Sequence, residues 1–202
     1  MLDRHLRPFI DPPLNLIGGQ IARSGLTANM VTFIGLAFGL AGAGAIIGGH
    51  FLLAVALILA SRLADGLDGA VARAQGVTDF GGYLDITCDF IFYAAIPLAF
   101  VLHDSDSNGV AGAVLLASFY INGASFLGYA ILAEKKQMRS DLHGMKSLYF
   151  TGGLLEGAET IAFFIVICLW PDWFVPLAYV FAALCGVTAG ARVLLAARVF
   201  TR

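Results

Sequence analysis

Charge is what this chain has least of. Lys, Arg, Asp and Glu make up 13% of its 202 residues against 59% hydrophobic ones, and the mean hydropathy is +0.84. A water-soluble core of this size does not need so much apolar side chain, so an ordinary soluble globule is excluded and a polytopic membrane protein indicated. Cysteine is scarce too. Cys88, Cys168 and Cys185 stand singly in apolar segments with no CxxC pair, which argues against a disulfide framework and a thiolate metal site and leaves small apolar packing as their role. Sustained β-alternation is missing, and so are repeats of about 20 to 50 residues, so the economical reading is one all-α domain covering residues 1–202. The first 23 residues mix Asp3, Arg4, His5, Arg7, Asp11, Pro12 and Pro13 with apolar positions, unlike a cleavable signal peptide, so the N-terminus is expected to be retained.

What the chain does have is length in uncharged runs. Leu2, Leu6, Phe9, Ile10, Leu14, Ile17 and Ile21 recur every three to four residues, which predicts an amphipathic interfacial helix over 1–23, broken near Pro12-Pro13. From Ser24 to Gly49 no residue is charged. About 20 such residues cross the roughly 30 Å of bilayer hydrocarbon. The pattern predicts six spans, at about 27–47, 51–73, 82–102, 109–133, 149–170 and 173–199, with Gly48-Gly49-His50 turning the chain between the first two and Pro171 ending the fifth. Gly35-x3-Gly39 permits close helix packing inside the bundle.

With the N-terminus inside, all twelve Lys and Arg residues fall at cytoplasmic ends, while the opposite loops hold only His50, His103, Asp104, Asp106 and Asp172. The positive-inside rule then places both termini on the cytoplasmic side of the cell (inner) membrane.

At that same end lie Asp65, Asp68, Asp85 and Asp89, with uncharged segments Phe51–Ser61 before them and Phe90–Leu102 after. An unpaired carboxylate at bilayer depth costs about 2.5–3.5 kcal/mol even on lenient insertion scales, so these acids require a polar cavity or cations. On helices, Asp65 and Asp68 are three apart and Asp85 and Asp89 four apart, so each pair shares a face, and a short loop makes the two helices antiparallel neighbours. All four carboxylates are expected to converge. Such hard oxygen donors suit Mg²⁺, Mn²⁺ or Ca²⁺, and two ions about 4 Å apart fit four carboxylates. Gly69 clears the same face for a ligand, and Arg73 stands a turn further on, where its fork suits a phosphate oxygen. The bland alternative is a structural cluster paired with Arg62 and Arg73, but two arginines do not neutralise four acids.

Asp65, Asp68, Gly69, Ala72 and Arg73, followed by Gly81, Asp85 and Asp89, resemble the signature of the CDP-alcohol phosphotransferase (CDP-alcohol phosphatidyltransferase) family, D-x2-D-G-x2-A-R then G-x3-D-x3-D. Every signature residue type is present. One departure is the spacer from Arg73 to Gly81, which has seven residues where the usual pattern has eight. The resemblance implies six spans with an amphipathic N-terminal helix, and a reaction of phospholipid biosynthesis. In it an acceptor alcohol attacks the β-phosphorus of a CDP-alcohol, often CDP-diacylglycerol, and CMP is released. It also implies Mg²⁺ or Mn²⁺, two ions in all, held by Asp65, Asp68, Asp85 and Asp89, with Asp89 as general base. Gly69, Ala72 and Arg73 would contact the CMP part, and a homodimer is expected. Asn29, in Thr27-Ala28-Asn29, is similar to the family's Pro-Asn element with Ala in place of Pro; it is read as a phosphate contact or, equally, as a helix N-cap or interhelical hydrogen bond.

Other polar residues admit two readings each. Arg62, one turn before Asp65, is expected to form an ion pair. Glu156 and Glu159 share a face near the cytoplasmic end of span five and either line the site or do not. Lys135, Lys136, Arg139, His143 and Lys146 set topology beside anionic lipid, or else attract a phosphorylated acceptor. Arg192, deeper in span six, is a candidate for an acceptor or lipid phosphate. Glycerol 3-phosphate, serine, inositol phosphate, or diacylglycerol attacking a CDP-aminoalcohol all remain open as acceptors. The competing function is a divalent-cation transporter, which would place acids near the midplane and in repeated halves, unlike these. No nucleic-acid partner is expected.

Overall fold

The computed structural model describes residues 3–136, 155 and 157–200, and the regular structure among them is helical throughout. In chain order the helices are α1 (Asp3–Arg23), α2 (Ala28–Ile47), α3 (Phe51–Gln75), α4 (Asp79–His103), α5 (Ser105–Lys135), α6 (Gly157–Leu169) and α7 (Phe174–Phe200), with a single 3-10 turn, Pro171–Trp173, between the last two. α2 packs on α3 and α4, α1 and α6 on α3, α4 on α5, and α5 on α7. α3 is therefore covered from three sides, and it is the helix that carries the first half of the signature.

Local chemistry fixes where these helices begin and end. Thr27 is extended and its hydroxyl accepts from Met30 N at 3.3 Å, which starts α2. That cap belongs to Thr27, so the capping role weighed for Asn29 is not its own. Gly49, at φ 74°, reverses the chain into α3, a conformation a side chain resists. Gly76, at φ 108°, closes α3, its N–H donating to Ala72 O at 2.9 Å. Two residues later the Thr78 hydroxyl accepts from Gly81 N at 3.0 Å and opens α4. This cap starts α4 at Asp79, earlier than the expected 82. With only residues 76–78 between them, α3 and α4 bring both halves of the signature to one end of the bundle.

Among the described residues, four helices are long and apolar enough to cross a membrane: α2, α4, α5 and the stretch Pro171–Phe200 that contains α7. α3 has 25 residues, but from Arg62 onward it carries Arg62, Asp65, Asp68 and Arg73. α6 shows 13 residues, because most of the expected start of span five lies outside the described residues. The 31 residues of α5 reach about 46 Å at 1.5 Å each, longer than the hydrocarbon, so this helix continues past the expected end at 133.

The expected break at Pro12-Pro13 does not occur: α1 is continuous from Asp3 to Arg23. Both prolines lie on its exposed side, where carbonyls deprived of a partner find solvent, while Leu14 and Gly18, four apart, bury against α3.

Lipid is as apolar as leucine, so helices in a bilayer associate through close packing rather than through hydrophobic exclusion. A Cβ on Gly18 would stand 2.5 Å from Ala70 Cβ, and one on Gly39 would stand 2.6 Å from the Phe92 ring. The Gly35-x3-Gly39 stripe thus faces inward, as expected. Around Phe92 the core is aromatic. Phe92 meets Phe164 edge-on at 5.7 Å, and Phe100 stacks on Phe174 at 4.7 Å. Gly39→Val is expected to cost about 1–3 kcal/mol by overpacking against Phe92. Gly44→Val, where a Cβ meets nothing within 4 Å, serves as the control. Thermal unfolding in detergent should show a drop in Tm for the first and none for the second.

Candidate active site

α3 presents Asp65 and Asp68 on successive turns, and α4 presents Asp85 opposite them. One carboxylate oxygen from each of the three lies within 4.8 Å of the others. Asp68 is the most enclosed, at 6% exposure, whereas Asp65 and Asp85 are half-buried and open toward the end of the bundle. Three like charges this close repel unless a cation lies among them. The donor set, all hard carboxylate oxygen from two rigid helices, fits a Mg²⁺ or Mn²⁺ ion.

Asp89, one turn further along α4, stands outside that group of three. Its Oδ1 accepts from Arg62 Nη1 at 2.7 Å, and the same nitrogen is 3.5 Å from Asp65 Oδ1. The expected convergence of four acids is therefore three plus one, with a guanidinium between. Arg62 is clamped. Its Nη2 donates to Ser61 Oγ at 3.1 Å and its Cζ sits 4.0 Å above the Phe92 ring, so the arginine is an ion-pairing residue, as its position suggested.

Thr32, on α2, was not singled out by the sequence, yet its hydroxyl donates to Asp68 Oδ2 at 2.6 Å from a buried position. The clue was its place three residues after Asn29, on the same helical face. Asn29 itself is half-buried in the first turn of α2. Its Oδ1 would be 3.4 Å from a Cβ built on Gly81, so it reaches the start of α4.

Gly69 and Ala72 are half-buried on α3, and a Cβ on Gly69 would stand 3.4 Å from Arg73 Nη1. Arg73 is exposed, and both its Nε and Nη2 donate to Asn15 Oδ1 of α1, at 3.1 and 2.7 Å. Asn15 is the second residue that the sequence did not announce. It lies 58 positions before its partner, so nothing local signals the contact.

Of the remaining candidates, Arg192 is engaged elsewhere in the bundle. Arg192 is buried on α7, where Nη1 donates to Asn122 O at 3.1 Å, to Asn122 Oδ1 at 3.0 Å and to Ser125 Oγ at 2.6 Å, all on α5. It ties α7 to α5. Glu159 is half-buried in the first turn of α6. Glu156 and Lys146 lie outside the described residues.

Comparison with known proteins places the chain in a family. The chain is 45% identical to the Escherichia coli inner membrane protein YnjF over 193 residues, covering 96% of this chain and 94% of that one. It is 33% identical to the archaetidylinositol phosphate synthase of Pyrococcus horikoshii over 118 residues, 58% of this chain and 63% of that one. In fold it is similar to the crystal structure of Mycobacterium tuberculosis phosphatidylinositol phosphate synthase with CDP-DAG bound, with a TM-score of 0.72 and 23% identity over 89% of this chain and 91% of that one. The model of the CDP-alcohol phosphatidyltransferase family matches residues 25–195, nearly the whole bundle and both halves of the signature, so this membrane protein belongs to that family of phosphotransferases.

Proposed function

We propose that this protein transfers a phosphatidyl group from a CDP-alcohol, CDP-diacylglycerol in the first instance, to an acceptor alcohol and releases CMP in a divalent-metal-dependent reaction. The observation that carries the reading is the set of three carboxylate oxygens within 4.8 Å, contributed by the consecutive helices α3 and α4. The relatives with names in inositol phosphate lipid synthesis support a donor of this class.

Asp65, Asp68 and Asp85 would hold the metal, with Asp89 adjoining. Bound there, Mg²⁺ or Mn²⁺, two ions in the full complex, would neutralise the charge that builds on the departing CMP phosphate. Asn15 holds the Nε and Nη2 edge of Arg73, which leaves Nη1, close to Gly69, for the nucleotide phosphate, with Ala72 and Asn29 on the same side of the site. The acceptor oxygen forms a bond to the β-phosphorus as the bond from phosphorus to the CMP oxygen breaks. The hydroxyl proton passes to Asp89. Arg62 fixes one oxygen of Asp89, which leaves the other for that proton.

The same reading takes the chain as one domain of six spans, with α3 and the span that contains α6 added to the four apolar ones. α1 is an interfacial helix, and both termini and the site face the cytoplasm. The distribution of Lys and Arg supports that orientation. A homodimer is the expected assembly, and Lys146, Glu156, Glu159 and Arg192 are the candidates for an acceptor or lipid phosphate site.

Purified protein incubated with Mg²⁺, labelled CDP-diacylglycerol and separate acceptors, among them glycerol 3-phosphate, serine and inositol phosphate, is expected to release CMP with one of them and form the matching lipid, identified by mass. Transport of Mn²⁺ into vesicles without CMP release under any of these conditions would overturn the reading.

A further inference from the structure

Arg62 is the one cation in contact with the acidic cluster among the described residues, and its surroundings are unusual. It is held from three sides, by Asp89 at 2.7 Å, by Ser61 at 3.1 Å and by the face of Phe92 at 4.0 Å, while Asp65 lies at 3.5 Å. Yet its Nε is buried and makes no hydrogen bond. A buried donor left without an acceptor is unfavourable, and such atoms are rare in native folds. The guanidinium is therefore placed for its carboxylates, not because the site satisfies it.

We propose that Arg62 is a built-in counter-cation that occupies Asp89 in the absence of substrate, so that the nucleotide-free enzyme binds one divalent ion, on Asp65, Asp68 and Asp85, and takes the second only with the diphosphate of the donor. This rests on the metal-dependent reading above. Charge supports it. Four carboxylates against one guanidinium leave three negative charges, which one divalent ion reduces to one. A second ion alone would turn the cluster positive beside a fixed guanidinium, and a substrate diphosphate with two negative charges of its own removes that obstacle. Loading becomes ordered: first ion, then donor with the second ion.

Arg62 is in this account a positioning residue, tested by Mn²⁺ binding to purified protein without nucleotide, followed by electron paramagnetic resonance. The wild type is expected to bind one ion. Arg62→Gln, which frees Asp89 and removes a positive charge, is expected to bind two, the first at least about tenfold tighter. Arg62→Lys keeps the charge and should restore single-ion binding, and Arg62→Gln combined with Asp89→Asn should return to one ion. Identical stoichiometry and affinity in wild type and Arg62→Gln would overturn the role of Arg62 while leaving the metal site standing. No Mn²⁺ binding by any of these proteins would overturn the metal reading itself. Should Arg62→Gln not fold, the wild type alone decides: two equally tight ions without nucleotide refute ordered loading, and one supports it.

Discussion

Asp89→Asn is expected to lower the rate of CMP release by about 10²–10⁴-fold, the range general-base removal commonly costs, while leaving the first metal ion bound. The two halves of that outcome come from the separation of the acids. Asp65, Asp68 and Asp85 form a mutually close set that does not include Asp89, so the amide substitution removes no member of it. The amide oxygen of asparagine still accepts from Arg62 Nη1, so the guanidinium keeps its place against Phe92. What asparagine does not do is take a proton from the acceptor hydroxyl. Steady-state rates at saturating Mg²⁺ and acceptor, with Mn²⁺ binding measured alongside, check both halves. Undiminished turnover removes Asp89 from the role of base, and loss of all metal binding makes it a ligand of the first ion instead.

Why so much of this site could be read without coordinates is a matter of distance along the chain. Asp65 with Asp68, and Arg62 with Asp65, lie within one turn of α3, where helical periodicity alone fixes the face. Asp85 meets them because a three-residue connection starts α4 beside the end of α3, and α2 packs on both helices. Contacts that depend on docking were not legible. Asn15 meets Arg73 only because α1 lies along α3 with Gly18 against Ala70, and Thr32 meets Asp68 across 36 residues. Asp89 was placed with the other acids because helical phase says which face a residue shares, not which neighbour claims it; Arg62 claims it first. Pro12-Pro13 misled for a related reason. A proline's effect on a helix depends on whether the freed carbonyls face solvent, and that is known only once the buried side of α1 is.

Asp68→Asn and Thr32→Val make a pair whose contrast bears on the metal site directly. Asp68 is the deepest of the three close carboxylates, and Thr32 donates its one hydroxyl proton to it at 2.6 Å, in preference to Ala28 O at 3.1 Å. Replacing Asp68 by the neutral amide deletes a ligand charge at a position where water replaces it poorly, so activity is expected to fall by at least about 10³-fold and not to recover at any Mg²⁺ concentration. Valine for Thr32 keeps the shape and deletes only the hydrogen bond that orients Asp68. Outer partners of metal ligands typically contribute about 10–100-fold to metal affinity, so Thr32→Val is expected to raise the Mg²⁺ concentration for half-maximal CMP release by that factor. Excess Mg²⁺ should then restore most of the wild-type kcat. A merely structural role for Thr32 predicts the opposite pattern: a lower Tm, a lower kcat and an unchanged Mg²⁺ requirement. If the Asp68 variant were instead rescued by added metal, the three-carboxylate set would not be the primary binding site, and the assignment of Asp65 and Asp85 as its partners would fall with it.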